Sequence, residues 1–317
     1  MATLRGAVIG SGNMGRHHVR IMSQSKEAEL AYVVDTNITA ARDLCAQWGG
    51  EALSSIDELP KIDVAVVAVP TQFHKEIALE LIRRKVNLLI EKPLADNPKA
   101  AQEIVDAANQ AGIVLAVGHV ERFNPAVQEL KQRLDDPKMI SIERLSPYQP
   151  RIKDSVIYDL TVHDVDLACW LAGSEPIAIQ AIGSAVFSNK IDVASAQIKF
   201  ASGCIATLQT SRITQDKVRR ILVSEPERFI NVDMLKQDIE IKRSARVENK
   251  TEDGHTVYSQ ETISEIPTIT VSGEPLCLEQ ENLYCAIATK SKPLVTGDEG
   301  LRAVELVNQI EKLANAQ

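Results

Sequence analysis

Aromatic residues make up only 4% of this 317-residue chain, too few to build the stacking platforms that hold single-stranded nucleic acids. Positive charge is short as well. The 35 Lys and Arg against 43 Asp and Glu leave a net charge of −8, the wrong sign for a nucleic-acid partner. The five cysteines (Cys45, Cys169, Cys204, Cys277 and Cys285) are odd in number and form no C-x-x-C pair, which argues against a zinc site or a redox pair. Unpaired thiols of this kind fit a reducing cytoplasm, so a cytoplasmic location is expected. No apolar run reaches the roughly 18 residues of a membrane helix. The N-terminus enters an apolar segment at once and lacks a signal-peptide layout. Internal repeats and low-complexity segments are also missing.

What is present is a 44% apolar composition and a length that suggests two domains. The first 120 residues alternate strand and helix signals. Strands are expected at 4–9, 30–34, 64–69, 86–90 and 113–117, with helices after the first turn to about 23 and at 38–48, 75–85 and 97–111. That alternation implies right-handed βαβ units and a doubly wound parallel sheet. Beyond Phe123 helical patterns at 125–134 and 158–171 give way to strand-like runs at 178–187, 194–200, 204–212, 219–223, 229–232 and 239–243. These runs read as a large, mostly antiparallel sheet with one face solvated or covered by a partner. A last helix places Ala303, Leu306, Val307, Ile310 and Leu313 on one face. The expected fold is therefore α/β, with a doubly wound parallel-sheet domain over 1–121 and an α+β domain over 122–317.

The segment Gly10-Ser11-Gly12-Asn13-Met14-Gly15 fits G-x-G-x-x-G between the first strand and its helix. Its first glycine permits the turn, its second lets backbone approach a pyrophosphate, and its third lets helix and strand pack closely. The helix N-terminus then offers free N–H groups and partial positive charge to the phosphates. Asp35 lies 20 residues beyond Gly15 at the end of the second strand, where a carboxylate accepts from the adenosine ribose 2′-hydroxyl. Val34 and Thr36 flank it and no Arg does, so NAD is favoured over NADP.

Glu91-Lys92-Pro93 directly follows the apolar run 86–90. Ligands in open α/β sheets bind beyond the carboxyl ends of the strands, which makes Lys92 a candidate active-site residue; a solvated loop lysine is the plainer alternative. The same edge collects Pro70, Thr71 and His74 from Val69-Pro70-Thr71-Gln72-Phe73-His74, and His119 and Arg122 from the segment after the next strand. Each has a structural alternative: His74 can cap a helix, and Arg122 can pair with an acid. In Asp159-Leu160-Thr161-Val162-His163-Asp164-Val165-Asp166, a helix would put Asp159 and His163 on one face, the arrangement of an oriented general base. Ordinary helix-surface pairing is the alternative. The segment offers too few ligands for a metal, and none is expected. Arg151 and Lys153 flank a Pro-rich segment and could grip a substrate phosphate, or simply be solvated.

In this order GSGNMG, Asp35, VPTQFH at 69–74, EKP at 91–93 and D-x-x-x-H-x-x-D at 159–166 resemble the Gfo/Idh/MocA oxidoreductases over nearly the whole chain. The resemblance implies a Rossmann domain, a second domain with a large open sheet, and a nicotinamide dinucleotide. Glu91, Lys92 and His119 would stand beside the cofactor, and Lys92, Asp159 and His163 at the reacting carbon. It also implies association through the open sheet as a homodimer or homotetramer. GHVERFNPAV at 118–127 and PRIKD at 150–154 are similar to a branch of UDP-N-acetylglucosamine 3-dehydrogenases, which oxidise the sugar 3-hydroxyl. Substrate contacts at Arg122, Arg151 and Lys153 would follow. Leu160-Thr161 departs from the small residues often found between that Asp and His. The alternatives are an inositol or free-sugar dehydrogenase of the same family and a non-catalytic NAD-binding regulator.

Overall fold

A computed structural model of the chain describes residues 3–150, 154–250 and 256–316, and Arg151 and Lys153 fall outside it. The described chain divides into two compact units, Met1–Phe123 with Gly273–Asn308, and Asn124–Ser272 with Gln309–Gln317.

The first unit is built on β1 (Leu4–Ile9), β2 (Ala28–Val34), β3 (Glu51–Leu53), β4 (Val64–Val67), β5 (Asn87–Glu91) and β6 (Leu115–Gly118). They form one sheet in the order β3-β2-β1-β4-β5-β6, and every adjacent pair is parallel. The strand order reverses between β1 and β4, so the ligand crevice of such a sheet opens at the carboxyl ends of these two strands. Helices α1 (Asn13–Gln24), α2 (Ile38–Trp48), α3 (His74–Arg83) and α4 (Pro98–Ala111) are the crossovers. The central strands are buried throughout, as sheets covered on both faces require: Val64–Val67 and the Leu88, Leu89 and Ile90 side chains of β5 are fully enclosed.

The second unit contains α5 (Pro125–Arg133), β7 (Met139–Leu145), α6 (Val162–Ala172), β8 (Pro176–Ser184), β9 (Val193–Phe200), β10 (Ile205–Ser211), β11 (Val218–Ser224), β12 (Arg228–Asp233), β13 (Asp238–Lys250) and β14 (Thr256–Glu265). Its eight-stranded sheet runs β14-β13-β12-β11-β7-β10-β9-β8, antiparallel except where β7 meets β10. Alternation divides its faces. Ile140, Ile142, Ala196, Ile198, Leu208, Ile221 and Val223 point to the covered face, on which α5 and α6 pack. Met139, Ile205 and Phe229 lie on exposed positions of the same strands.

The expectation of a single second domain over 122–317 is corrected at its end. Helices α7 (Pro275–Thr289) and the start of α8 (Gly297–Asn315) belong to the first unit. The reason is apolar: Leu283 and Tyr284 of α7 join Val19 and Met22 of α1 and Leu89 of β5 in one buried cluster. Strand β7 was not anticipated because Arg144 occupies an inward position. It is only 2% exposed, and its Nε donates to Asp164 Oδ1 of α6 at 2.6 Å. A charge so placed is tolerated only when paired. Removing one partner of such a pair costs roughly 3–5 kcal/mol. Asp164→Ala should therefore lower stability to chemical denaturation by an amount of that order, with Asp164→Asn, which keeps an acceptor, losing less.

Candidate active site

The glycine turn after β1 shows three different demands. Gly10 has φ +104°, the left-handed region, and an added Cβ would meet the Ala68 carbonyl oxygen at 2.5 Å. At Gly15 a Cβ would stand 1.9 Å from the Gly10 carbonyl oxygen, so this glycine lets α1 lie against the turn. Gly12 differs from both. Its φ is −69° and nothing lies within 4 Å of an added Cβ. No protein atom demands a glycine there; open space over the backbone is what a pyrophosphate needs. Gly12 is also the N-cap of α1, and no side chain caps the helix, which leaves its first amides to a ligand. Asn13 is exposed, and Met14 half-buried, beside it.

Asp35 closes this cradle. Its Oδ2 accepts from both the Ser11 amide and the Ser11 hydroxyl at 2.6 Å, and its Oδ1 from the Asn37 amide at 2.8 Å. Burial pushes the carboxyl up, but the Ser11 and Asn37 hydrogen bonds outweigh it and hold Asp35 below the ordinary carboxylate range. The carboxylate thus stays ionised and retains acceptor capacity for a ribose hydroxyl. Thr36 is exposed next to it. The residues present fit a dinucleotide.

Further along the same sheet edge, Glu91 ends β5 pointing inward, 7% exposed, while Lys92 is half-buried and its bond to Pro93 is cis. Glu91 pairs across the ladder with Gly118 of β6. A Cβ on Gly118 would come within 3.1 Å of both Glu91 Cα and Oε2, so this glycine makes room for the carboxylate. His18 Nε2 of α1 lies 2.9 Å from Glu91 Oε1, and the Lys92 amide donates to Oε2 at 3.1 Å. Burial would raise the Glu91 carboxyl; the His18 hydrogen bond, together with the Lys92 ammonium and amide, lowers it below the usual range. Glu279 of α7 is the counterpart. It is 2% exposed, its carboxyl oxygens have no hydrogen-bond partner among the described residues, and burial with the charge of Glu91 pushes it well up.

Two candidates turn out to be fasteners. His74 is 1% exposed, with Nδ1 3.0 Å from the Pro93 carbonyl oxygen and Nε2 2.9 Å from that of Val69. Both ring nitrogens face backbone carbonyls, so the buried ring sits between the loop after β4 and the Lys92-Pro93 turn, and its one N–H donates to one of the two. Burial lowers its pKa. Pro70 is exposed at the head of the short turn Thr71–Phe73 that delivers His74. Arg122, expected to contact substrate, is fully buried; its Nη1 donates to Glu299 at 2.6 Å and to the Leu294 carbonyl at 3.2 Å. A guanidinium so enclosed anchors the α7–α8 connection. His119 is likewise 1% exposed, at the turn after β6.

In the second unit Asp159 and His163 are both half-buried. The segment Ile157–Thr161 is a π-helical turn that runs into α6, so the α-helical spacing expected of Asp159 and His163 does not hold across it. Such turns recur at functional sites because they re-aim one or two side chains. Thr161 explains the departure at 160–161: its hydroxyl donates to Thr210 of β10 at 3.0 Å, seating the turn on the sheet. Arg151 and Lys153 lie outside the described residues, and among those described no group of three His, Cys, Asp or Glu could hold a metal ion.

Residues 4–119 match the oxidoreductase family with an NAD-binding Rossmann fold, and residues 100–225 match the GFO/IDH/MocA C-terminal domain. The UDP-N-acetylglucosamine 3-dehydrogenase of Acidithiobacillus ferrooxidans is 34% identical over 244 residues, which cover 76% of this chain and 77% of that protein. The chain belongs to the Gfo/Idh/MocA oxidoreductases. A solved structure of the A. ferrooxidans enzyme superposes with a TM-score of 0.89 at 30% identity, covering 100% of this chain and 99% of that one. An inositol 2-dehydrogenase of Rhizobium meliloti is 25% identical over 96% of this chain and 95% of its own. Within this family, then, the first unit is the NAD-binding Rossmann domain.

Four residues that matter to this site carry no motif. His18, Glu279, Gln280 and Tyr284 are buried within helices whose neighbours are apolar. The one available signal is a polar residue interrupting an apolar helical stripe. The glycine geometry gives a direct check. Gly12→Ala should fold like wild type yet bind NADH at least about tenfold more weakly, the loss of roughly one good contact. Gly15→Ala should instead lower the thermal midpoint. NADH fluorescence titration and thermal unfolding of both variants read the difference.

Proposed function

We propose that this Gfo/Idh/MocA oxidoreductase is an NAD-dependent dehydrogenase that oxidises the 3-hydroxyl of a UDP-N-acetyl-hexosamine. Likeness over the full length to the A. ferrooxidans UDP-N-acetylglucosamine 3-dehydrogenase is the observation that carries this reading. NAD is favoured over NADP because the ionised Asp35, fastened by Ser11, would repel a 2′-phosphate. The open cradle over Gly12 and the uncapped N-terminus of α1 would hold the pyrophosphate. A bound nicotinamide supplies the hydride acceptor. The chain's own residues handle the proton and the charge. His163, oriented by Asp159, takes the hydroxyl proton, and the Lys92 ammonium stabilises negative charge developing on that oxygen. Lys92 and His163 exchange these roles if Lys92 is the neutral amine and His163 the imidazolium. Arg151 and Lys153 would neutralise the diphosphate of the nucleotide sugar. The exposed apolar positions Met139, Ile205 and Phe229 on the open sheet suit association with a second copy, as a homodimer or homotetramer.

A second reading, oxidation of an inositol or free sugar, is supported by similarity to the R. meliloti inositol 2-dehydrogenase over nearly the whole chain. The diphosphate separates the two. On the first reading UDP-N-acetylglucosamine reduces NAD and myo-inositol does not. Lys92→Ala should lower kcat by roughly 10²–10⁴-fold, the usual worth of a proton-transfer or charge-stabilising group. Arg151→Ala should raise the KM for the nucleotide sugar about ten- to hundredfold, as loss of a charged hydrogen bond does, with NADH affinity unchanged. Turnover of inositol with none of UDP-N-acetylglucosamine would favour the second reading.

A further inference from the structure

Helix α7 returns to the first unit and ends a hydrogen-bonded chain that begins at Lys92. The Tyr284 hydroxyl donates to Gln280 Oε1 at 2.8 Å, and Gln280 Nε2 lies 2.9 Å from His18 Nδ1. His18 Nε2 lies 2.9 Å from Glu91 Oε1, whose other oxygen takes the Lys92 amide at 3.1 Å. All four side chains are at most 7% exposed.

The direction of each bond follows from chemistry. Gln280 Nε2 also reaches the His18 backbone carbonyl oxygen at 3.3 Å, a contact only a donor can make. The amide nitrogen therefore faces the imidazole, and the tyrosine hydroxyl on Oε1 holds it so. A donor against Nδ1 means that Nδ1 carries no proton. The ring proton is then on Nε2, where it is donated to Glu91. Had Nε2 been the bare nitrogen, its lone pair would face a carboxylate in an apolar interior.

We propose that Gln280 and Tyr284 are positioning residues for Lys92: they fix His18 as its Nε2–H tautomer, His18 donates that proton to Glu91, and Glu91 pins the backbone of the turn that carries Lys92. This rests on the reading of Lys92 as an active-site residue. It adds that a helix 262 positions along the chain from His18, outside every motif, sets the strand-end geometry. Glu279, adjacent to Gln280, strengthens the case. Glu91 shares its interior with a second carboxyl, so its charge must be directed by donors and cannot be spread over solvent.

Gln280→Glu tests the direction of the chain with almost no change of shape, because it places an acceptor where Nε2 stood. Tyr284→Phe removes only the hydroxyl that orients the amide. The readouts are ¹⁵N shifts of the His18 ring, NADH affinity, and kcat and KM for the nucleotide sugar. The wild-type ring should show a protonated Nε2 and a bare Nδ1. In Gln280→Glu, Nδ1 should gain a proton and kcat should fall roughly ten- to hundredfold, the cost of sub-ångström misplacement, while NADH affinity stays within about twofold. Tyr284→Phe should show the same split with a smaller fall. Unchanged kcat in both variants, or a parallel loss of NADH affinity and kcat, would overturn the inference, since the first makes the chain idle and the second makes it a mere prop. A Lys92→Ala control keeps the two readings apart. Full turnover by Lys92→Ala would sink the role of Lys92 itself; lost turnover there with full turnover in Gln280→Glu would sink only the positioning chain.

Discussion

A single negative charge held inside an apolar sheet edge governs the first unit of this protein. Glu91 ends β5 behind the enclosed Leu88, Leu89 and Ile90, where an uncompensated carboxylate would be expelled or neutralised. It stays charged because donors meet both oxygens, His18 on one and the Lys92 amide on the other, with the Lys92 ammonium adding its field. Much local sequence answers to that requirement. Gly118 is the gap through which the carboxylate fits. His74 holds the Lys92-Pro93 turn from the far side by its carbonyls. Helix α7 comes back across the chain to supply Gln280 and Tyr284.

Glu279 shows how finely the site is divided. Two carboxyls in one interior cannot both ionise cheaply, and the donors decide which one does. Glu91 collects them and its pKa falls; Glu279 has none and its pKa rises. The donors therefore favour the charge on Glu91, next to the residue proposed for the chemistry. At the other end of the sheet edge the same logic is simpler. Asp35 is partly exposed, and Ser11 keeps it ionised while the turn before α1 stays open above Gly12.

How much of this could be read in the sequence depended on whether one local signal carried it. The parallel sheet was legible because buried strands such as Val64–Val67 are unbroken apolar runs, and the glycine turn because its three glycines keep the G-x-G-x-x-G spacing directly after the first strand. Strand β7 was hidden by Arg144, a charge at a core position that becomes intelligible only with Asp164 opposite it. The placement of α7 was hidden for the same reason: Glu279 and Gln280 blur its apolar stripe, and their partners lie far away in sequence. At His74 and Arg122 the sequence leaves a ligand contact and a structural role side by side. Position beyond a strand end does not tell a ligand contact from a buried fastener, and their carbonyl and carboxylate partners do. The π turn before α6 has no sequence signature at all, and Thr161 reveals its seat on the sheet only through Thr210.

Carboxyl ¹³C spectra of glutamate-labelled protein, with Glu91→Gln and Glu279→Gln used to assign the two signals by difference, read which of the two buried carboxyls holds the charge. The signal lost in Glu91→Gln should be that of an ionised carboxylate throughout the neutral range. The signal lost in Glu279→Gln should still be that of a protonated acid at neutral pH. A protonated Glu91, or two ionised carboxylates at neutral pH, would contradict that placement of the charge.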